Sequence, residues 1–194
     1  MSVVQDGELA RRAGRGESAA AAELLTRIRP GVVRYCWAHL SSLRHAPVSP
    51  DDVAQEVCLA VFEALPRFRD RGMPFAAFVF RIAANKVADA YRAARAASST
   101  QPIETLPEAA DARWDPEHRA VTADLSRRVL SLLAELSDTQ REIVVLRVAA
   151  GLSADEVGAV LGMTPAAVRM SQSRALASLR ARIRDQDAAD EVVA

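Results

Sequence analysis

The chain has 194 residues and no net formal charge, with 25 Lys and Arg against 25 Asp and Glu; half of it is hydrophobic and only 5% is aromatic. Every long apolar stretch is interrupted by Arg or Asp, so no run of about 18 apolar residues exists to span a membrane. Asp6 and Glu8 near the N-terminus and the lack of an apolar h-region argue against a secretory signal. Two cysteines, Cys36 and Cys58, cannot staple a disulfide scaffold and fit the reducing cytosol.

The zero net charge conceals blocks. Residues 1–97 carry a net +4, residues 98–117 a net −4, residues 118–184 a net +4 and residues 185–194 a net −4. Solvated surface with acidic disordered pieces accounts for this pattern. So do two modules that meet a polyanion, separated by a segment that avoids it.

Helical periodicity begins at Leu24, Leu25, Ile28, Val32 and Val33. It resumes at Val53, Val57, Ala60 and Val61, and again at Phe75, Phe78, Val79 and Ile82. Ser49-Pro50-Asp51-Asp52 supplies a cap, a first-turn proline and carboxylates at the positive end of the dipole. Residues 98–117 combine Pro, Ser and acids with little apolar periodicity. A structureless stretch of that length inside one compact domain is unusual, so it reads as a linker between two helical domains. Asp115-Pro116-Glu117 repeats the start signal. Ser137-Asp-Thr-Gln140 and Ser153-Ala-Asp-Glu156 fit the capping box, and Thr164-Pro165 is a further start. Period-two alternation is not sustained anywhere, so the expected class is all-α.

Residues 153–179 form a unit. The expected first helix runs from Ala154 to Leu161, Gly162 ends it in the left-handed conformation, and Thr164 caps the second. Val168, Ala175, Leu176 and Leu179 pack inward, leaving Arg169, Met170, Ser173 and Arg174 outward. A short helix, a glycine turn and an arginine-bearing second helix are the parts of a helix-turn-helix. An ordinary helical hairpin with surface arginines would share the pattern but does not need all of these signals.

These residues resemble a known family. Leu136-Ser-Asp-Thr-Gln-Arg-Glu-Ile-Val-Val-Leu-Arg147, Gly151 through Gly162, and Ala167-Val-Arg with Arg174-Ala-Leu resemble region 4 of a bacterial sigma factor. Asp51-Asp-Val-Ala-Gln-Glu-Val57 through Phe62 resembles region 2.2. Phe75 through Asn85 and Asp89-Ala-Tyr-Arg92 resemble regions 2.3 and 2.4. The two halves occur in the order of the extracytoplasmic-function (ECF) group of the sigma-70 family. Asn85-Lys-Val-Ala-Asp89 is similar to the actinobacterial sigma-D-like subgroup.

The resemblance implies a subunit that binds core RNA polymerase, directs it to promoter DNA and helps open the duplex, with no catalysis, cofactor or metal of its own. It implies region 2 at 1–97, an acidic linker at 98–117 that runs through the RNA exit channel, region 4 at 118–184 and an acidic tail at 185–194. Asp51, Asp52, Gln55 and Glu56 would dock on the coiled coil of the large polymerase subunit, as an acidic, amide-bearing stripe suits an arginine-rich helix. Arg67, Phe68, Arg69 and Arg71 would hold a flipped base of the −10 element, although Phe68 is equally placed to enter the core. Phe80, Arg81, Asn85, Lys86 and Arg92 would continue that surface along the next helix. Thr164, Ala167, Arg169, Met170, Ser173 and Arg174 would meet the −35 element, with Arg169 suited to guanine and Arg174 to phosphate. Gln172 stands where relatives are usually apolar. An anti-sigma factor is an expected partner.

The competing reading is a helix-turn-helix regulator that acts alone, for which the region-2 pattern would have no use. Cys36-x-x-His39 with His45 and Cys58 has permissive zinc spacing, but no paired ligand motif follows. The cysteines therefore read as core thiols. Trp114 can anchor on a partner or cover the second domain.

Overall fold

The structure, a computed structural model, describes residues 3–41, 48–68, 72–98 and 128–193. Residues 99–127 lie outside the described residues and hold nearly all of the expected linker, Trp114 and the Asp115-Pro116 start; His45, Arg69 and Arg71 also lie outside. Among the described residues there are eight α-helices and no strand, and no helix is long and apolar enough to cross a membrane.

The N-terminal domain consists of α1 (Val3–Gly14), α2 (Ser18–Leu40), α3 (Pro50–Ala64) with a 3₁₀ turn at Leu65–Arg67, and α4 (Phe75–Ser98). α2 is its spine. Leu24, Ile28 and Val32 recur every fourth residue and are at most 1% exposed, so one stripe faces the core along several turns. α3 starts where the sequence signals. The Asp52 backbone N–H donates to Ser49 Oγ at 3.1 Å, the Ser49 N–H donates to Asp52 Oδ2 at 3.2 Å, and Pro50 occupies the first turn. On α4, Phe75, Val79 and Ala83 are buried against α2 and α3.

The C-terminal domain comprises α5 (128–134), α6 (Asp138–Val144), α7 (Ala154–Leu161) and α8 (Pro165–Val193). α6 runs into a π-helical turn over Val145–Ala149. The four consecutive residues from Ile143 to Leu146 are all buried, which no single face of a helix allows. They divide between two cores. Val144 meets Leu136 and Ala175, while Ile143, Val145 and Leu146 join the larger cluster that also holds Leu152, Val157 and Val168. The π turn turns the chain between these demands.

α7 and α8 form the helix-turn-helix as expected. Ser153 and Glu156 cap reciprocally, with the Glu156 N–H donating to Ser153 Oγ at 3.2 Å and the Ser153 N–H to Glu156 Oε2 at 2.7 Å. Gly162 ends α7 at φ 69° and ψ 32°, a conformation that disfavours a side chain. Thr164 Oγ1 accepts from the Ala167 N–H at 3.2 Å and starts α8. α8 continues to Val193 and so includes the acidic residues that follow Arg184. Arg and Ala, both strong helix formers, fill the turns before them.

The two domains pack on each other. Ile28, Val32 and Phe80 from the first share one apolar cluster with Leu146, Ala150 and Val157 from the second. At Gly31 an added Cβ would lie 3.1 Å from the Ala150 carbonyl oxygen and 3.6 Å from Phe80 Cζ, so the backbones approach there because no side chain intervenes.

Ser153→Ala should remove one half of the α7 cap and destabilise the second domain by about 1 kcal/mol. Thermal melting should show a lower midpoint for Ser153→Ala and little change for Ser153→Asp, which keeps a capping oxygen.

Candidate nucleic-acid interface

α4 presents Arg81, Asn85 and Arg92 on its exposed side, where steps of four and seven residues keep side chains on one face. Arg92 pairs with Asp89 within its own helix. Lys86 Nζ reaches Glu56 Oε2 at 3.1 Å and joins α4 to α3. Arg67 is exposed in the 3₁₀ turn.

Two aromatic side chains expected at the DNA surface lie elsewhere. Phe80 is 1% exposed and meets Tyr35 edge-to-face at 5.4 Å. Tyr35 of α2 and the apolar cluster shared by both domains enclose Phe80, contacts that the periodicity of α4 alone does not reveal. Phe68 is 8% exposed and packs at 5.2 Å from Phe75 and 5.1 Å from Phe78. Its ring closes the aromatic cluster under the loop and offers no open stacking face.

On α3 the exposed stripe contains Asp51, Asp52, Gln55 and Glu56, as expected, and continues through Leu59 and Phe62, which are 57% and 49% exposed. The acidic residues were legible from their position. The two apolar ones follow Gln55 at helical steps, a signal that the inward Val53-Val57-Val61 stripe masks. Asp52 is committed to the cap and Glu56 to Lys86.

α8 exposes Arg169, Met170, Ser173 and Arg174. Arg174 Nη2 lies 3.5 Å from Met170 Sδ, which aligns the two along the helix. Ala167 is half-buried and the Thr164 hydroxyl serves as the cap, so these two shape the start of the surface. Inward, Val168 and Ala175 are fully buried. Gln172 lies between them and accepts a hydrogen bond from Arg147 Nε at 2.9 Å.

The seam between the domains is partly polar. Tyr35 Oη donates to Glu142 Oε1 at 2.8 Å, and His39 Nε2 lies 3.1 Å from Glu142 Oε2. Burial, reinforced by the Glu142 charge, raises the Tyr35 hydroxyl far above its ordinary range, so it remains a donor. Tyr91 Oη donates to the His39 carbonyl at 2.6 Å. Arg34 donates to the Ala149 carbonyl, and Arg81 Nη2 donates at 2.9 Å to the Ala159 carbonyl in the last turn of α7. There the partial negative charge of the helix end favours a cation. A crevice of about 530 Å³ separates the domains, lined by Arg81, Asn85, Tyr91, Glu142 and Leu161 among others. Two residues expected to meet promoter DNA therefore face the second domain.

The thiols take no part in this surface. Cys36 is buried and burial pushes it up to about 12, while Cys58 is half-buried and also raised.

Comparison with known proteins matches residues 24–97 to Sigma-70 region 2 and residues 126–179 to Sigma-70 region 4. The ECF RNA polymerase sigma factor SigD of Mycobacterium tuberculosis is 50% identical over 179 residues, covering 92% of this chain and 80% of SigD. The chain is an ECF sigma factor. A second relative, the ECF sigma factor ShbA of Streptomyces griseus, is 47% identical over 181 residues, covering 90% of this chain and 93% of ShbA. Among solved structures, CnrH in complex with the cytosolic domain of CnrY superposes with a TM-score of 0.67 at 28% identity, covering 93% of this chain and 98% of CnrH. This sigma factor thus serves to direct core RNA polymerase to promoters and to promote DNA opening.

Glu142→Ala in the sigma factor removes the acceptor for Tyr35 and the partner of His39. An unpaired buried hydroxyl costs about 1–3 kcal/mol. Small-angle scattering should show a larger radius of gyration at unchanged far-UV circular dichroism. Unchanged scattering would mean that the apolar contact and the bonds from Arg34 and Arg81 hold the domains together without Glu142.

Proposed function

We propose that the sigma factor divides its work among three helices. The α3 stripe, from Asp51 to Glu56 and on through Leu59 and Phe62, docks on core polymerase. The exposed face of α4, with Arg81, Asn85 and Arg92, together with Arg67, Arg69 and Arg71 of the preceding loop, takes the −10 element. The exposed face of α8 reads the −35 element, with Arg169 toward base edges and Arg174 toward phosphate. The observation that carries this reading is the pairing of a mixed acidic and apolar stripe on α3 with an arginine-bearing helix-turn-helix in the same chain. A regulator acting alone would have no use for the first.

The proposed division runs from region 2 at 1–97, through the acidic segment 98–117, to region 4 at 118–184, with 185–194 after it. On this reading the chain works in the cytoplasm, needs no cofactor and contributes no catalytic group; the chemistry is that of the polymerase. The packed arrangement ties Arg81 to α7 and places Asn85 along the crevice between the domains, so promoter engagement requires the domains to part. CnrH, solved with the cytosolic domain of CnrY, supports a protein partner of the anti-sigma kind for this chain as well.

Phe62→Ala should weaken holoenzyme assembly by about 1–3 kcal/mol, because an exposed aromatic on a docking stripe acts as an anchor. The free chain should keep its melting temperature, since the ring is half-exposed. Titration of labelled core polymerase measures the first quantity and calorimetry the second. Unchanged assembly would remove Phe62 from the interface.

Arg169→Ala should reduce initiation at promoters with an intact −35 element by about 1–3 kcal/mol and relax base preference there, with core binding unchanged. In vitro transcription on promoters with altered −35 bases separates the cases. An equal loss on every promoter would make Arg169 a phosphate contact or a fold determinant.

A further inference from the structure

The inward stripe of α8 contains one polar side chain that simple packing does not call for. Val168 and Ala175 are completely buried, and Leu179 completes the stripe against Leu136 and Val144. Gln172 sits on the same stripe, four residues after Val168 and three before Ala175, where a leucine would fit by size. Its amide oxygen instead accepts from Arg147 Nε at 2.9 Å.

Arg147 belongs to the π-helical turn, and its Nη1 donates to the carbonyl of Leu152 just before α7. One guanidinium therefore ties together the π turn, the entry to α7 and the recognition helix α8. Apolar contacts along a helix tolerate some rotation and sliding. A hydrogen bond between two part-buried polar groups does not, because leaving either unpaired is costly. A lone polar residue in an otherwise apolar seam is a known way to fix register at some expense of stability.

We infer that Gln172 is a specificity-determining positioning residue: through Arg147 it fixes the rotation of α8 about its axis, and hence the direction in which Arg169, Met170 and Ser173 leave the helix. Arg169 precedes Gln172 by three residues, so a rotation of α8 that slackened the Gln172 contact would swing Arg169 across the surface. Base reading depends on the direction of a few side chains, whereas phosphate attraction does not. Loss of the bond therefore erodes discrimination more than affinity. This inference rests on the reading of α8 as the −35 helix.

The test uses holoenzyme formed with the full chain. It measures the ratio of initiation from a promoter with an intact −35 element to initiation from the same promoter with that element scrambled. Gln172→Leu should lower this ratio about tenfold, a scale set by the worth of a single base-reading contact. It should leave holoenzyme assembly intact and lower the melting temperature modestly, because Arg147 Nε loses its acceptor. Gln172→Glu, which keeps an acceptor for Arg147, should restore the ratio.

An undiminished ratio in Gln172→Leu, or a ratio that Gln172→Glu fails to restore, overturns the inference. Should Gln172→Leu lose its fold, Gln172→Glu decides alone, with a retained ratio in support and a lost one against. Arg169→Ala in the same assay separates this inference from the reading beneath it. A loss in Arg169→Ala without one in Gln172→Leu overturns only the positioning role. No loss in either overturns both.

Discussion

Glu142 of the second domain accepts a hydrogen bond from Tyr35 of α2 on one oxygen and lies against His39 with the other. Around that contact the apolar residues of both domains merge into one cluster, and Arg81 of α4 ends on a carbonyl of α7. Part of the α4 face proposed to meet DNA thus has a partner within the molecule. Its arginine already has an electronegative partner, and that partner is a helix terminus with a fraction of a charge. A phosphate, with a full charge, competes well for the same guanidinium once the domains part. On the proposed reading, the seam and the promoter are alternative partners for one face.

The economy of the C-terminal domain rests on a different constraint. α6 and α7 are short and α8 follows at once, so each start must be satisfied locally, and Ser137, Ser153 and Thr164 do this at three successive starts. Four consecutive buried residues then need two cores, and a π turn reconciles them with the rest of the domain. Arg147 stands in that turn, so the same irregularity that solves a packing problem supplies a guanidinium directed at the recognition helix. Turns of this kind tend to occur where function uses them.

Much of this was legible in the sequence because the signals were local. The bounds of α7, the left-handed Gly162 and the outward set on α8 follow from caps and periodicity over a few residues. What failed depended on distant partners. Phe80 looks free because its position on α4 does not match the core stripe, yet Tyr35 of α2 and the apolar cluster shared by both domains enclose it. Phe68 had two open readings, and the neighbouring phenylalanines decide for the core. Leu59 and Phe62 were overlooked because apolar residues in a helix default to core in any periodicity count. Gln172 was visible only as a departure from the usual apolar residue; its partner lies 25 positions earlier in the chain, beyond the reach of local patterns. The length of α8 is not legible locally, because the acidic composition after Arg184 carries no apolar periodicity.

Gly31 gives the seam a quality beyond strength. With no side chain at this position in α2, the clearance to the Ala150 carbonyl is set by a single missing carbon. Alanine there would favour the helix itself by about 1 kcal/mol, yet it would also press on the neighbouring domain, which must yield by a few tenths of an ångström. Larger side chains would act as wedges. Position 31 thus behaves as a graded spacer for the equilibrium between packed and parted domains. Apparent affinity for any ligand that selects the parted form scales with the fraction of molecules in that form. Promoter output could drift over evolutionary time through this one site, with every residue that touches DNA or polymerase left as it was.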